Sequence, residues 1–118
     1  MSGNRRSSHQ VLAEFHWLYD CLEAFVAAQL PLLPEEVRAL YRKKFVTRER
    51  MLALVAEGKA TPSMLVTGAK SGLSDCREQI RHMRQDNPRA AEALQESYVA
   101  ARGRPFEKDV ALAREAAA

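Results

Sequence analysis

A chain of 118 residues is long enough for one domain with one modest core, which at this size removes roughly 65% of the unfolded surface from water. Its 47% hydrophobic and 28% charged residues exclude general disorder, and no run approaches the ~18 apolar residues that a membrane span requires. A formal charge of +3 and a pI near 9.1 permit an anionic partner without demanding one.

Met1 to Ser8 is polar and is expected to fray, with Ser7 or Ser8 accepting a hydrogen bond from the first helical turn that follows. Arg5 and Arg6 precede an apolar stretch, but Glu14, His16 and Asp20 interrupt it, so it does not read as a signal peptide and a cytoplasmic protein is expected. Val11 to Leu30 holds four of the eight aromatic residues and carries the cleanest helical period. Val11, Phe15, Leu18, Leu22, Phe25 and Val26 form its core face, and His16, Asp20 and Glu23 lie opposite. The spacing makes this helix the centre of the fold.

Pro31 and Pro34 bracket a tight connection, and Pro34-Glu35-Glu36 starts a second helix with two carboxylates at the positive end of its dipole. Val37, Leu40, Tyr41 and Phe45 continue a core face, but Lys44 and Arg48 would fall near its centre in a straight helix. The phase therefore shifts near Val46 or Thr47, by a bend or a break. Thr47 caps the resumed turn, and Gly58 closes it in a left-handed conformation.

Thr61-Pro62 starts a further segment whose positions Leu65, Ala69, Gly72, Cys76, Ile80 and Met83 share one face, as in a single helix to about Asp86. Gly68 and Gly72 each cost about 1 kcal/mol relative to Ala in a helix interior, and Ser74 can cap a fresh helix. A break at Gly72-Leu73-Ser74 is the expectation. Asn87-Pro88 starts the next helix, with Ala90, Ala91, Leu94, Tyr98 and Ala101 on one side and Gly103 as its stop. Pro105 opens a short last helix docked by Phe106 and Val110, leaving residues 115–118 frayed. The whole reads as an all-α single domain, residues 1–118, of four to six helices.

Functional hints are positional. Lys70, Arg77, Arg81 and Arg84 form one stripe beside the apolar face of the third segment, suited to following a phosphate backbone. A second cluster of Arg38, Arg42, Lys43, Lys44, Arg48 and Arg50 gives six positive against three negative charges between Glu35 and Arg50. The candidate nucleic-acid contacts are therefore Arg42, Lys43, Lys44, Lys70, Arg77, Arg81 and Arg84. The bland alternative is a solvated helix face in a chain whose arginine and alanine bias follows from GC-rich coding.

The order of elements from Thr47 to Lys59, from Thr61 to Ala69, then Gly72-Leu73-Ser74 and an arginine-bearing helix resembles a helix-turn-helix. That resemblance implies DNA reading, with the last helix in the major groove and arginines contacting guanine. Counted from Gly72 as the turn glycine, two later positions that the pattern wants apolar are Glu78 and Arg81, a departure from it.

Trp17 lies on the flank of the first helix with Ala13, Cys21, Ala24 and Ala28, a second apolar face. It either packs on the C-terminal helices or anchors a homodimer or partner interface. Cys21 and Cys76 read as buried thiols in a reducing compartment. The pairs His16/Asp20 and Glu78/His82 share helix faces but make no paired Glu-x-x-His motif, and no phosphate loop or nucleophile triad occurs, so neither metal nor cofactor is expected. The expectation is a small non-enzymatic regulatory protein binding nucleic acid, with a helical adaptor, inhibitor or immunity-type protein as the alternative.

Overall fold

The computed structural model describes residues 6–118 apart from the Lys44 side chain, so Met1 to Arg5 and the charged end of Lys44 lie outside the described residues. Those residues form an all-helical array of 49 × 28 × 21 Å without strands. Helix α1, Ser8–Gln29, is central and packs on α4, Pro62–Asp86, and on α5, Pro88–Arg102, with α6, Phe106–Ala111, and α7, Ala113–Ala116, closing over it. Helices α2, Glu35–Lys44, and α3, Arg48–Ala56, stand off from this bundle and reach it through side chains instead of close backbone approach.

The ends of α1 follow from its sequence. The Ser7 hydroxyl accepts from the Gln10 amide at 3.1 Å while Gln10 Oε1 accepts from the Ser7 amide at 2.9 Å, a reciprocal capping box. Phe15, Leu18, Tyr19, Leu22 and Phe25 are buried as their spacing requires. The second apolar face is covered from within the chain by α5, α6 and α7. One 3-10 turn, Leu30–Leu32, then leads to α2.

Of the two ways to shift phase after α2, the chain uses a break. Phe45 is extended, and Thr47 caps α3 by accepting from the Arg50 amide at 3.2 Å. Gly58 takes φ +75° at the end of α3, the left-handed stop expected of it.

The expected break at Gly72-Leu73-Ser74 does not occur: α4 runs unbroken through it, so the middle of the chain lacks the turn that a helix-turn-helix needs. The reason is the continuity of its buried face. Leu65, Ala69, Leu73, Cys76 and Ile80 are all buried along the side of α4 that packs on α1 and α5, and one buried leucine or isoleucine contributes roughly 1.5–3 kcal/mol, against about 1 kcal/mol for each helical glycine. Gly72 also meets Leu22, where a Cβ would lie 3.3 Å from a Leu22 methyl.

Helix α5 starts with Asn87 accepting from the Ala90 amide at 3.3 Å and ends at Gly103, φ +84°. Phe106 packs against Phe25 and Tyr98 with ring centroids 4.9 and 5.3 Å away. The C-terminal end is docked where fraying was expected, because Ala113 and Ala117 are small enough to bury against the bundle. Among the described residues, no helix is long and apolar enough to cross a membrane.

Candidate nucleic-acid interface

Helix α4 exposes two flanks on either side of its buried face. At 100° per residue, Lys70, Arg77, Arg81 and Arg84 cluster on one flank, and all four are exposed. Being on one unbroken helix, they span roughly 21 Å of rigid rod. Arg81 Nη2 donates to Glu78 Oε1 at 2.5 Å, whereas Arg77 and Arg84 have no ion-pair partner among the described residues. The local field is moderate, since Asp75, Glu78 and Asp86 share the helix.

At its N-terminal end the stripe borders a cavity of about 360 Å³ between α1, α4 and the C-terminal helices. Lys70, Arg77 and Arg114 line it, with Glu14 at its base. Glu14 is buried, receives an ion-paired hydrogen bond from Arg6, and lies 3.6 Å from Lys70 Nζ. Burial would push its carboxyl up, but the Arg6 hydrogen bond and the charges of Lys70, Arg6 and Arg114 outweigh this and hold it below the usual carboxylate range. The carboxylate is thereby matched inside the wall by Arg6, Lys70 and Arg114, and Arg77 is left lining the cavity without an ion-pair partner among the described residues.

The second cluster divides. Arg38 and Arg42 pair with Glu35 at 2.6 and 3.7 Å, and Lys43 is exposed. Arg48 turns inward: Nη2 donates to Asp20 Oδ1 at 2.5 Å and to Glu23 Oε1 at 2.7 Å, Nη1 lies 3.1 Å from His16 Nδ1, and the guanidinium covers the Tyr19 ring at 4.7 Å. Arg42 and Lys43 therefore sit on α2, away from the α4 stripe.

Trp17 belongs to a different group. Its indole N–H donates to the Asp109 carbonyl at 2.8 Å, and the guanidinium groups of Arg102 and Arg104 lie 5.0 and 5.6 Å from its ring. The Asp109 side chain is fully buried: Oδ2 accepts from Tyr98 Oη at 2.6 Å, Arg102 Nε at 2.8 Å and Cys21 Sγ at 3.4 Å, while Oδ1 accepts from Arg104 Nη1 at 2.7 Å. Burial alone would push this carboxyl up, but the bonds from Arg102, Tyr98, Arg104 and Cys21 hold it below the usual range. Burial also pushes the Cys21 thiol up to about 11 and the Cys76 thiol to about 12, so neither is a ready nucleophile.

Sequence reasoning missed this hub and the inward turn of Arg48. Arg48 carried a signal, a cation at the centre of a continuing apolar face. Asp109 carried a weaker one, an acid between the docking residues Phe106 and Val110 with two arginines just upstream. Among the described residues no group of three or more potential ligands is placed to hold a metal ion.

No family model matches the chain, and neither a curated protein nor a solved structure does so.

Proposed function

We propose that this is a non-enzymatic regulatory protein that binds nucleic acid through the phosphate backbone, using Lys70, Arg77, Arg81 and Arg84 on α4 with Arg114 beside them. The observation that carries this reading is the exposure of all four α4 cations on one flank of a single rigid helix. Without a turn at Gly72 there is no separate recognition helix, so the contacts expected are to phosphates and binding is tolerant of sequence. Arg42 and Lys43 serve as an outlying attachment on α2.

Counterion release supplies the test. Anisotropy of a labelled duplex, measured against salt, should give a logarithmic slope of about 0.9 per phosphate contacted, or roughly 3 to 4 for the α4 stripe. Replacing Arg77, Arg81 and Arg84 together by Gln should flatten it by about two to three units, with helix content unchanged because all three are exposed. No retention of duplex or single-stranded nucleic acid at ~50 mM salt would reject the reading. A helical adaptor or inhibitor would then stand, and the three carboxylates sharing α4 favour it, because they lower the net charge of that helix to +1 (four cations less Asp75, Glu78 and Asp86).

A further inference from the structure

The cavity at the N-terminal end of the stripe does not stand alone. A second one, of about 410 Å³, adjoins it across Glu14, Lys70 and Arg114 and reaches Arg6, Ser63 and Thr67. Together they form one basin along the N-terminal half of α4, walled by α1 on one side and by the C-terminal helices on the other.

The charge of this basin is one-sided. Arg6, Lys70, Arg77 and Arg114 line it against a single carboxylate, Glu14, which gives it +3 among the described residues. The whole chain also carries +3, so the remaining basic and acidic residues are equal in number and the excess is gathered here. Met1 to Arg5, which precede Arg6, include no carboxylate. Glu14 occupies few of the donors. Arg6 hydrogen-bonds it, whereas Lys70 Nζ at 3.6 Å is beyond a hydrogen bond and Arg114 acts on it through its field alone.

The donors are also in register. Ser63, Thr67, Lys70, Ser74 and Arg77 follow one another at steps of three and four residues, and all five are exposed. They therefore form a ladder that carries the stripe of Arg84 and Arg81 on into the basin. Every member can donate to a phosphate oxygen, and none is a carboxylate. Leu18, Leu73, Val110 and Ala113 line the same space, and apolar surroundings strengthen the attraction of these cations for an anion.

This shape suits the end of a strand better than its middle. Arg84 and Arg81 lie along an open flank, and past Arg77 the walls rise on both sides. A phosphate within a strand carries one negative charge, whereas a terminal phosphate monoester carries about 1.5 to 2 at neutral pH and is the better match to the surplus. A cavity of about 150 Å³ holds a benzene, so the first cavity alone accommodates roughly fourteen non-hydrogen atoms, the size of a pentose phosphate.

We infer that the basin is a receptor for a phosphate monoester, the terminal phosphate of a strand whose backbone lies on the α4 stripe, held by Lys70, Arg77 and Arg114. The assignment to a strand end rests on the phosphate-backbone reading of the stripe. The same monoester chemistry is also offered by a free nucleotide, and the test separates the two sources.

Anisotropy on the full chain compares a short labelled duplex with phosphorylated ends against the same duplex with hydroxyl ends, at equal salt. The phosphorylated duplex should bind about tenfold more tightly or better, the worth of one charge-assisted contact. Arg114→Gln should remove this preference with helix content unchanged, because Arg114 is exposed. Arg81→Gln combined with Arg84→Gln should weaken both duplexes and keep the preference. Thymidine monophosphate, titrated by calorimetry, should bind about tenfold more weakly or worse than the phosphorylated duplex, since it makes no contact with the stripe. Equal affinity for the two duplexes would overturn the terminal-phosphate site and leave the backbone reading standing. Binding of thymidine monophosphate without retention of either duplex would overturn the backbone reading and assign the basin to a free nucleotide. No binding of any of the three would overturn both, and a preference that survives Arg114→Gln would overturn the location.

Discussion

The two flanks of α1 are tied down by charge in unequal ways. On the C-terminal side, Asp109 is fully buried and gathers Tyr98, Arg102, Arg104 and Cys21 around one carboxylate, with Trp17 clamped against its backbone. On the α2 and α3 side, one arginine, Arg48, bridges to Asp20 and Glu23 in a half-exposed setting, and Tyr19 adds a hydrogen bond from its hydroxyl to the Val46 carbonyl at 2.7 Å. The first arrangement binds three helices into one unit. The second holds a pair of helices above a cavity. Counting charges along the sequence treats these arginines alike, whereas their surroundings decide which belong to the fold and which are available to a partner.

The largest break in this comparison is expected from Asp109→Asn, which leaves Arg102 and Arg104 facing a neutral amide. Removing one member of a buried charge pair costs roughly 3–5 kcal/mol, and urea unfolding followed by circular dichroism should show it. A loss under ~1 kcal/mol would mean that the hub is incidental to stability.

Acid tests the same hub reversibly. Asp109 and Glu14 both have folded-state values held below their unfolded ones, so the stability each contributes is complete above the unfolded values near 4 and is lost as pH falls through the lowered folded values. Unfolding free energy should therefore fall below about pH 4 in the wild type. Asp109→Asn should show a shallower acid slope, and an identical slope would contradict the assignment.

A smaller effect is expected on the other flank. Arg48→Met removes charge-assisted bonds to two partly exposed carboxylates, worth about 1–2 kcal/mol after solvent screening. The change should be local. Amide exchange in α3 should quicken while the slowest amides of α1 keep their protection, because α3 has no fully buried residue to hold it. Uniform loss of protection across the chain would show that α2 and α3 are integral to the bundle.

The difference between the flanks also sets what the sequence disclosed. The core of α1, the caps at Ser7, Thr47, Thr61 and Asn87, and the stops at Gly58 and Gly103 are local facts, fixed by spacing and turn chemistry within a few residues. The continuity of α4 was not legible in this way, because the penalty of its glycines is local while the burial that outweighs it comes from α1, some fifty residues earlier in the chain. The same holds for the candidate sites. Exposure of Lys70, Arg77, Arg81 and Arg84 follows from the wheel of one helix. The Asp109 hub joins residues 88 positions apart, and no single stretch contains its pattern.

The smallest prediction concerns the helix that both flanks share. Gly68 and Gly72 carry the same helix penalty but different neighbours: a Cβ at Gly68 enters open space, and one at Gly72 lies 3.3 Å from Leu22 Cδ2. Gly68→Ala should therefore stabilise the protein by about 0.4–1 kcal/mol, by raising helix propensity and restricting the unfolded chain. Gly72→Ala gains the same increment but must displace the Leu22 methyl by a few tenths of an ångström, inside a contact that is already packed. Overpacking of this kind opposes the gain, so Gly72→Ala should fall at least about 0.5 kcal/mol below Gly68→Ala in paired urea titrations. Combining Gly72→Ala with Leu22→Val should recover part of that gap if the Leu22 methyl is its cause. Equal stabilisation by the two single substitutions would show that Leu22 yields freely, and that the close approach of α1 to α4 at Gly72 does not require a glycine.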